Sequence, residues 1–342
     1  MTKCTPRSQD RGVHSHACSA PIVLSDIGID VARLFAVHSG MRPVSEWAHK
    51  TVFKHDTGIH DMTLIRTIGL AVAASAFAFS GAIAQDRITI ATEGAYAPWN
   101  FSNPDGSLDG FEIDLARDLC TRMEVECEII AQDWSGIIPA LTAGRYDAIM
   151  AGMSITEERE EVISFSQPYT LSPNGFLVPA DSDIAELPHS GERFNLDTNT
   201  ERAQEVLAEV RTAIEGKTIG VQGATTHSNF ATEYFGDAIQ IREYSSTEQH
   251  DLDLQAGRID AVLADLPTLE ATLQKPEFQD GFLITGPGFV GGILGRGVGV
   301  GLRQADEDLR AKFDEAIAGA IADGTVKELS EKWFGTDLTP QS

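Results

Sequence analysis

The spacing of hydrophobic residues switches between two periods along residues 87–334, one typical of strands and the other of helices. Arg87–Thr92 alternates and is rich in β-branched residues, which predicts a strand, and an amphipathic helix begins near Glu112. A second strand is expected at Glu126–Ala131 and a second helix at about Ser135–Ala143. Regular alternation of strands and helices predicts βαβ units, an α/β fold and a largely parallel sheet.

The same alternation continues beyond Thr156, with one interruption. Residues 181–215 are polar and then helical from about Thr200, so we interpret them as an insertion that decorates a second lobe. The glycine-rich segment Gly286–Gly301 lacks the Lys-Ser/Thr of a phosphate-binding loop, and we expect a flexible crossover that ends in a strand, Val298–Leu302. The remaining elements are expected as strands Lys217–Val221, Ile239–Tyr244 and Ala261–Ala264, and as helices from Thr156, from Thr226, Glu248–Ala256, Glu307–Ala322 and Thr325–Phe334.

One string of residues occurs twice. Residues 141–152 read LTAGRYDAIMAG and residues 254–265 read LQAGRIDAVLAD, and seven of the twelve positions are identical. Each copy has the pattern of a helix end, a C′ glycine and a short strand opened by an aspartate. The two copies predict two α/β lobes of similar build, or they are merely good punctuation between helix and strand. Because ligands collect beyond the carboxyl ends of strands, we expect Gly152 and Asp265, which end the copies, to face one cleft.

Residues 62–84 have the layout of a secretory signal. A short n-region with one arginine precedes an apolar run, Ile68–Phe79, and an Ala-Ile-Ala cleavage sequence follows. The apolar run is too short for the alternative, a membrane anchor, which needs ~20 residues. We therefore expect translation to start at Met62, the mature protein to begin near Gln85, and residues 1–61 to be a mis-assigned gene start.

The net charge narrows the range of partners. The chain of 342 residues carries a formal charge of −25. The first 84 residues contain eight Lys and Arg against six Asp and Glu, so the rest is more acidic still, at −27. This acidity argues against a nucleic-acid partner, which needs basic surface. It suits a soluble secreted protein and weakly favours cationic ligands.

Two cysteines, Cys120 and Cys127, remain after residue 84. In an oxidising compartment such a close pair predicts a disulfide, which would join a helix end to the strand Glu126–Ala131. Zinc is the alternative, but no further cysteine or suitably spaced histidine accompanies the pair, and no metal or cofactor is expected. His189 and His250 lie in polar stretches and are expected at the surface.

Several residues just past the predicted strands could hold an anion. Ser154 follows a strand, and Arg159, about one helical turn beyond Thr156, has a planar fork that suits a carboxylate. Arg159 could equally form surface ion pairs with the four glutamates beside it. Residues 223–226 join a strand to a helix, where free N–H groups and Thr226 would suit an anion or simply cap the helix.

A second set of residues could hold a cation. Asp265 follows a strand and could bind an ammonium group or cap the next helix. Glu93 follows the first strand and could pair with a cationic tip. Tyr96 and Trp134 could flank an aliphatic stem or a cation, whereas Trp99 is expected at the edge of the core.

Together these residues resemble the periplasmic amino-acid-binding proteins of ABC importers, extracellular solute-binding protein family 3, over about residues 86–333. The most specific strings are Gly110-Phe-Glu-Ile-Asp-Leu, Tyr146-Asp-Ala-Ile-Met, Ser154-Ile-Thr-Glu-Glu-Arg159, Ala256-Gly-Arg-Ile-Asp-Ala and Asp323-Gly-Thr. The nopaline- and octopine-binding branch also resembles this chain in Thr92-Glu-Gly-Ala-Tyr-Ala-Pro-Trp-Asn100, Gly220-Val-Gln-Gly-Ala-Thr-Thr, Lys332-Trp-Phe and the 181–215 insertion. Lysine/arginine/ornithine- and histidine-binding proteins are the next nearest and share the cysteine pair.

The resemblance implies a two-lobed periplasmic binding protein fold of type II, with two crossover strands joining two α/β lobes. Lobe 1 would contain residues 85–172 and 290–338, and lobe 2 residues 173–289 with the insertion. It also implies a monomeric periplasmic receptor, without enzymatic activity. The receptor would pass a basic amino acid (arginine, ornithine or lysine) or an arginine-derived opine to an inner-membrane ABC permease.

The resemblance further implies a role for each binding residue. These roles are α-carboxylate binding by Arg159, Thr226 and Ser154, α-ammonium binding by Asp265, packing on the ligand side chain by Tyr96 and Trp134, and pairing with a cationic tip by Glu93.

Two positions depart from the related branches. Opine-binding members tend to have Asn in place of Asp265, and the aspartate of this chain suits a free α-ammonium. Basic amino-acid binders tend to have Ser in place of Gly152, and the extra room beside the glycine of this chain points back to opines.

The alternative function is an enzyme of the same fold, a periplasmic cyclohexadienyl (arogenate) dehydratase with Glu93 as its general acid. Trp134 beside Glu93 suits a cationic side chain better than a prephenate ring.

Overall fold

Strands and helices alternate as the hydrophobic pattern predicts in the computed structural model, which describes residues 87–340. The strands are β1 (Arg87–Thr92), β2 (Ala95–Tyr96), β3 (Asn100–Ser102), β4 (Leu108–Asp109), β5 (Glu126–Ala131), β6 (Ala148–Ile149), β7 (Ser164–Phe165), β8 (Asn174–Pro179), β9 (Arg193–Asn195), β10 (Thr218–Gln222), β11 (Gln240–Tyr244), β12 (Ala261–Asp265), β13 (Phe282–Val290) and β14 (Gly301–Leu302). The α-helices are α1 (Phe111–Arg122), α2 (Ile137–Thr142), α3 (Glu157–Glu160), α4 (Thr200–Ala213), α5 (Thr226–Phe235), α6 (Thr247–Gln255), α7 (Leu266–Leu273), α8 (Glu307–Ala322) and α9 (Thr325–Phe334).

The described residues belong to one unit of the chain, Gly81–Ser342. The expected signal at 62–84 and the expected mis-assigned start at 1–61 lie outside the described residues. Within residues 87–340 no helix is both long and apolar enough to cross a membrane.

Two sheets form the centres of two lobes. The sheet of the first lobe has the order β5-β1-β6-β14-β7, and that of the second has the order β11-β10-β12-β8-β13-β9. In each lobe three parallel strands repeat one arrangement, β5-β1-β6 in the first and β11-β10-β12 in the second. The predicted α/β fold with two lobes of similar build is therefore confirmed.

The doubled string performs the same structural task in both lobes. In the first copy the Asp147 N–H donates to the Thr89 carbonyl (2.9 Å), and the Thr89 N–H donates to Asp147 Oδ2 (2.9 Å). In the second copy Asp260 and Thr218 exchange the same two bonds, at 2.8 and 2.7 Å. Each aspartate therefore fastens the start of its strand to the neighbouring strand, which explains its presence at the same place in both copies.

Two antiparallel segments connect the lobes, residues 166–173 and 291–300. The Val298 N–H donates to the Thr170 carbonyl (2.8 Å), and the Tyr169 N–H donates to the Val298 carbonyl (2.9 Å). This pairing agrees with two crossovers, but the strand expected at Val298–Leu302 is reduced to β14.

The flexible crossover expected at Gly286–Gly301 is wrong over its first five residues, which belong to β13. β13 pairs with β8 on one side and β9 on the other, with an irregularity between Thr285 and Phe289. Gly286 has φ +75° inside this irregularity, so a glycine-rich segment continues the ladder instead of ending it.

The segment 181–215 contains β9 and α4 and packs on the second sheet. α4 buries its apolar face in the core of the second lobe through Ala203, Val206, Leu207 and Val210. The lobe boundaries expected near residues 172 and 290 stay a prediction.

The surface position expected for His250 is wrong. Its side chain is completely buried, and Nδ1 lies 3.1 Å from Asp251 Oδ1. Asp251 Oδ2 accepts from Thr272 Oγ1 and Lys275 Nζ, both at 2.8 Å. The polar residues that suggested exposure satisfy one another where α6 packs against α7. His189 is also largely covered, between two glutamates.

The predicted disulfide is present between Cys120, in the last turn of α1, and Cys127 in β5. Since both cysteines belong to the bridge, the zinc alternative does not apply to them. The bridge encloses a short loop and joins the helix to the edge strand of the first sheet.

We expect replacement of Cys120 and Cys127 by alanine to lower the free energy of unfolding by about 2 kcal/mol, because the bridge restricts the unfolded chain. Urea unfolding of the oxidised protein and of the double variant measures this difference. Reduction with a thiol should shift the midpoint of the wild type but not that of the variant. Equal midpoints for oxidised and reduced wild type would contradict the prediction.

Candidate functional site

A cavity lies between the two lobes where β1, β6, β10 and β12 end, and we call it the central cavity. All eight residues expected to bind the ligand line it: Glu93, Tyr96, Trp134, Gly152, Ser154, Arg159, Thr226 and Asp265. Its volume of about 40 Å³ leaves room for only a few water molecules. The strand-end rule therefore located the cavity, and the lobes are closed on it.

Asp265 lies at the floor of the central cavity, at the end of β12. Its Oδ1 accepts from the N–H of Thr268 (3.2 Å), so Asp265 caps α7. Helix capping is one of the two roles that the sequence suggested for it. Oδ1 also accepts from Trp99 Nε1 (2.9 Å), and Oδ2 accepts from the hydroxyl of Tyr96. Because Tyr96 and Trp99 belong to the first lobe, Asp265 joins the two lobes. Burial is the main reason that the pKa of Tyr96 is well above its ordinary value.

Glu93 follows β1 and is buried at another side of the cavity. Its Oε1 accepts from Gln222 Nε2 (2.7 Å), a further bond between the lobes. The pKa of Glu93 is raised to about 7, chiefly by burial and in part by the nearby charges of Glu112 and Asp133, against the bond from Gln222, which lowers it. In the closed structure Glu93 therefore changes charge near neutral pH.

Arg159 lies in the short helix α3, whose first turn is capped by Thr156. Its Nη1 donates to the Ser154 carbonyl (2.8 Å), and its guanidinium lies 5.3 Å from the ring centre of Trp134. Burial lowers the pKa of Arg159 to about 10, which keeps it charged at neutral pH. Within the described part of the chain, the guanidinium bonds to this carbonyl instead of to the neighbouring glutamates, so it is directed at the cavity.

The loop before α5 faces Arg159 across the cavity. Thr225 caps the helix by accepting from the N–H of Ser228 (3.3 Å), and Thr226 opens its first turn. The Ala224 carbonyl accepts from Trp134 Nε1 (3.1 Å), which also joins the two lobes. The N–H groups at the beginning of a helix favour an anion, so this loop complements Arg159.

Gly152 has φ +60°, which favours glycine. A Cβ atom there would lie 2.7 Å from Cε1 of Tyr96. The extra room expected at Gly152 is therefore filled by the Tyr96 ring in this structure. The glycine at position 152 is explained by its positive φ and by the close approach of the Tyr96 ring.

Behind Gly152 a buried carboxylate, Glu112, holds the wall of the first lobe. Glu112 Oε1 accepts from the Gly152 N–H (2.7 Å) and from the Tyr169 hydroxyl, and Oε2 accepts from Asn100 Nδ2 (2.7 Å). Burial raises the pKa of Glu112, because its three hydrogen bonds offset only part of the desolvation. The Glu112 side chain thus connects Gly152 and Asn100 in this wall with the crossover residue Tyr169.

Sequence reasoning missed several residues that line the cavity, among them Gln222, Asn174 and His227. His227 Nε2 lies 2.8 Å from Asn174 Oδ1, and burial lowers the pKa of His227 to about 4, so it is neutral at neutral pH. Gln222 ends β10, so the strand-end rule could have found it. Asn174 and His227 carry no comparable signal, because their place in the cavity depends on the packing of β8 against β12. In residues 87–340 no group of three or more His, Cys, Asp or Glu could hold a metal ion.

The fold and the cavity define a class of protein: a two-lobed binding protein whose lobes close over a small molecule. The chain belongs to the bacterial extracellular solute-binding proteins, family 3, and the match covers residues 88–336. The family resemblance seen in the sequence is therefore confirmed.

Three relatives show how far the similarity extends. The octopine-binding periplasmic protein of Rhizobium meliloti is 48% identical over 287 residues, covering 78% of this chain and 97% of that protein. The L-arginine-binding protein of Pseudomonas aeruginosa is 31% identical over 270 residues, with 78% and 95% covered. A solved structure of a periplasmic His/Glu/Gln/Arg/opine family-binding protein from Silicibacter pomeroyi, in complex with lysine, is 33% identical with a TM-score of 0.59, over 74% of this chain and 99% of that one. The fold is thus the type II binding-protein fold.

Proposed function

We propose that this chain is a periplasmic receptor that binds an arginine-derived opine or a basic amino acid and delivers it to an inner-membrane ABC permease. The observation that carries the proposal is the charge arrangement of the central cavity. The first lobe contributes one guanidinium and the second lobe a helix N-terminus, and two buried carboxylates, Asp265 and Glu93, line the same cavity. A ligand with one carboxylate and two cationic groups complements this arrangement.

Each group of such a ligand has a partner in the cavity. The α-carboxylate would bind Arg159 and the first turn of α5, near Thr226 and Ser154. The α-nitrogen would face Asp265, and the cationic tip would pair with Glu93. The aliphatic stem would lie between the rings of Tyr96 and Trp134. Charge-assisted hydrogen bonds contribute about 1.5–3 kcal/mol each, so several of them reach the roughly −8 kcal/mol of micromolar binding.

Binding requires the lobes to open, since the closed cavity holds only a few water molecules. The bonds between the lobes use the same oxygens that would receive the ligand: Gln222 occupies Glu93, and Tyr96 occupies Asp265. The ligand would therefore replace protein donors with its own. The paired crossover segments are the natural hinge for this motion.

The dehydratase alternative finds less support. Glu93 has the raised pKa of a general acid, but its bond from the Gln222 amide gives it a polar neighbour that suits a charged tail better than a ring substrate. The relatives described above are binding proteins, which favours the receptor.

Residues 62–84 would direct this receptor to the periplasm. We expect the exported protein to begin near Gln85, and N-terminal sequencing of the periplasmic fraction measures this. A mature protein that retains residues before Met62 would contradict both the signal and the start site. The octopine-binding relative is named as periplasmic, which supports this location.

Calorimetry with octopine, nopaline, arginine, ornithine, lysine and histidine tests the proposed function. We expect at least one of these cationic ligands to bind with a Kd in the micromolar range or tighter. Glutamine, which lacks a cationic tip, should bind at least tenfold more weakly. If no cationic amino acid or opine produces heat, the proposal is wrong.

Glu93 should make binding depend on pH. A cationic tip pairs with the ionised carboxylate, whereas burial keeps Glu93 protonated below about pH 7 in the free closed protein. Binding then releases a proton, so we expect the affinity to fall about tenfold from pH 8 to pH 6.

The Glu93→Gln variant should bind cationic ligands more weakly at pH 8 and lose this pH dependence. Glu128→Gln is the matched control, because Glu128 is an exposed carboxylate of the same sheet, paired with Arg87 away from the cavity. A pH dependence that survives in Glu93→Gln would assign the proton to another group.

A further inference from the structure

The hydrogen bonds of Asp265 determine how much of this carboxylate a ligand can use. A carboxylate offers about four acceptor positions on its two oxygens. Trp99 Nε1 and the Thr268 N–H occupy Oδ1, and the Tyr96 hydroxyl occupies one position of Oδ2. A ligand would replace the Tyr96 hydroxyl, as proposed above, but not the buried Trp99 or the helix-capping N–H of Thr268. Both positions of Oδ2 and neither position of Oδ1 are then open to the nitrogen of a ligand.

Trp99 cannot readily turn away from Asp265. Its ring is 1% exposed and packs in the core of the first lobe, with ring centres 5.8 Å from Phe111 and 4.7 Å from Phe334. The Tyr96 ring lies nearly parallel to it, with an interplanar angle of 9°. Beside the carboxylate the two residues therefore form a fixed aromatic wall.

This arrangement treats two kinds of α-nitrogen differently. A free α-ammonium has three N–H groups, and a donor left without an acceptor in a closed site lowers affinity. A nitrogen with one carbon substituent has two N–H groups, and the substituent can lie against an aromatic face. Octopine, an arginine whose α-nitrogen carries a carboxyethyl group, is of the second kind.

We propose that Trp99 is a specificity-determining residue: by occupying Oδ1 of Asp265 it makes the site prefer ligands with a substituted α-nitrogen over free amino acids. The proposal rests on the proposed function, since it concerns the same site. It also reverses the sequence interpretation in which Asp265 favoured a free α-ammonium, because the protein already uses both acceptor positions of Oδ1.

The Trp99→Phe variant tests the proposal, because it keeps an aromatic ring in the core and removes the N–H donor. Calorimetry would give the Kd of octopine and of arginine for wild type and variant. Wild type should bind octopine more tightly. In the variant the preference for octopine over arginine should fall about tenfold, the effect of one hydrogen bond to a charged group, because arginine gains an acceptor that octopine cannot use.

The matched control is Trp333→Phe, since Trp333 Nε1 also donates to a carboxylate, Asp114 Oδ2 (3.0 Å), outside the cavity. It should leave the preference unchanged. If Trp99→Phe does not fold, as judged by thermal unfolding, wild type is tested with Nα-methylarginine, which has two N–H groups on its substituted α-nitrogen and should bind more tightly than arginine. Equal or weaker binding than arginine would overturn the role of Trp99.

The outcomes separate the two proposals. Equal weakening of both ligands by Trp99→Phe, or an unchanged preference, would overturn the role of Trp99 while the receptor function stands. A wild type that prefers arginine over octopine would overturn it as well. Failure of wild type to bind any cationic ligand would overturn the proposed function and this inference together.

Discussion

A carboxylate that is buried away from water needs hydrogen-bond donors. Three buried carboxylates, Glu93, Asp265 and Glu112, lie in or beside the central cavity. Glu93 and Asp265 obtain their donors from across the cleft, whereas Glu112 obtains its donors within the first lobe and its crossover. The cross-cleft donors hold the two separate α/β cores together in the closed form. The same bonds also explain why the cavity is small, because the donors occupy the space that a ligand would take.

The hydrogen bonds of the closed form therefore compete with those that a ligand would make to Asp265 and Glu93. A ligand that binds Asp265 or Glu93 replaces a donor that the protein already supplies there, so the net gain is smaller than a list of contacts suggests. Arg159 is the exception, because among residues 87–340 its guanidinium is held only by a carbonyl and the Trp134 ring. The carboxylate of the ligand is then the group whose contribution is least offset by a lost internal bond.

Sequence reasoning predicted the lobes and the members of the cavity because both depend on local patterns. The strand periodicity, the doubled string and the position of polar residues after strands can all be read within a dozen residues. The bonds of Asp265 to Tyr96 and Trp99 span 169 and 166 positions, and no local pattern encodes them. His250 was misplaced for a related reason, since its burial depends on the contact of α6 with α7. β13 was missed because its glycines, which normally interrupt strands, here form an irregularity inside the ladder.

The hydrogen bonds of Glu112 connect the cavity wall of the first lobe with the crossover segments that form the hinge. It binds Gly152 and Asn100 in the first-lobe wall and Tyr169 in the crossover, so any alteration of this wall also reaches the hinge. On the opposite lobe His227 also reaches the crossover, through Asn174, whose Nδ2 donates to the Ser172 carbonyl (3.5 Å). Gln222 bonds instead to Glu93 and to the Ser245 carbonyl. Gln222 is consequently the position of the second lobe at which a change of ligand range would disturb the crossover least.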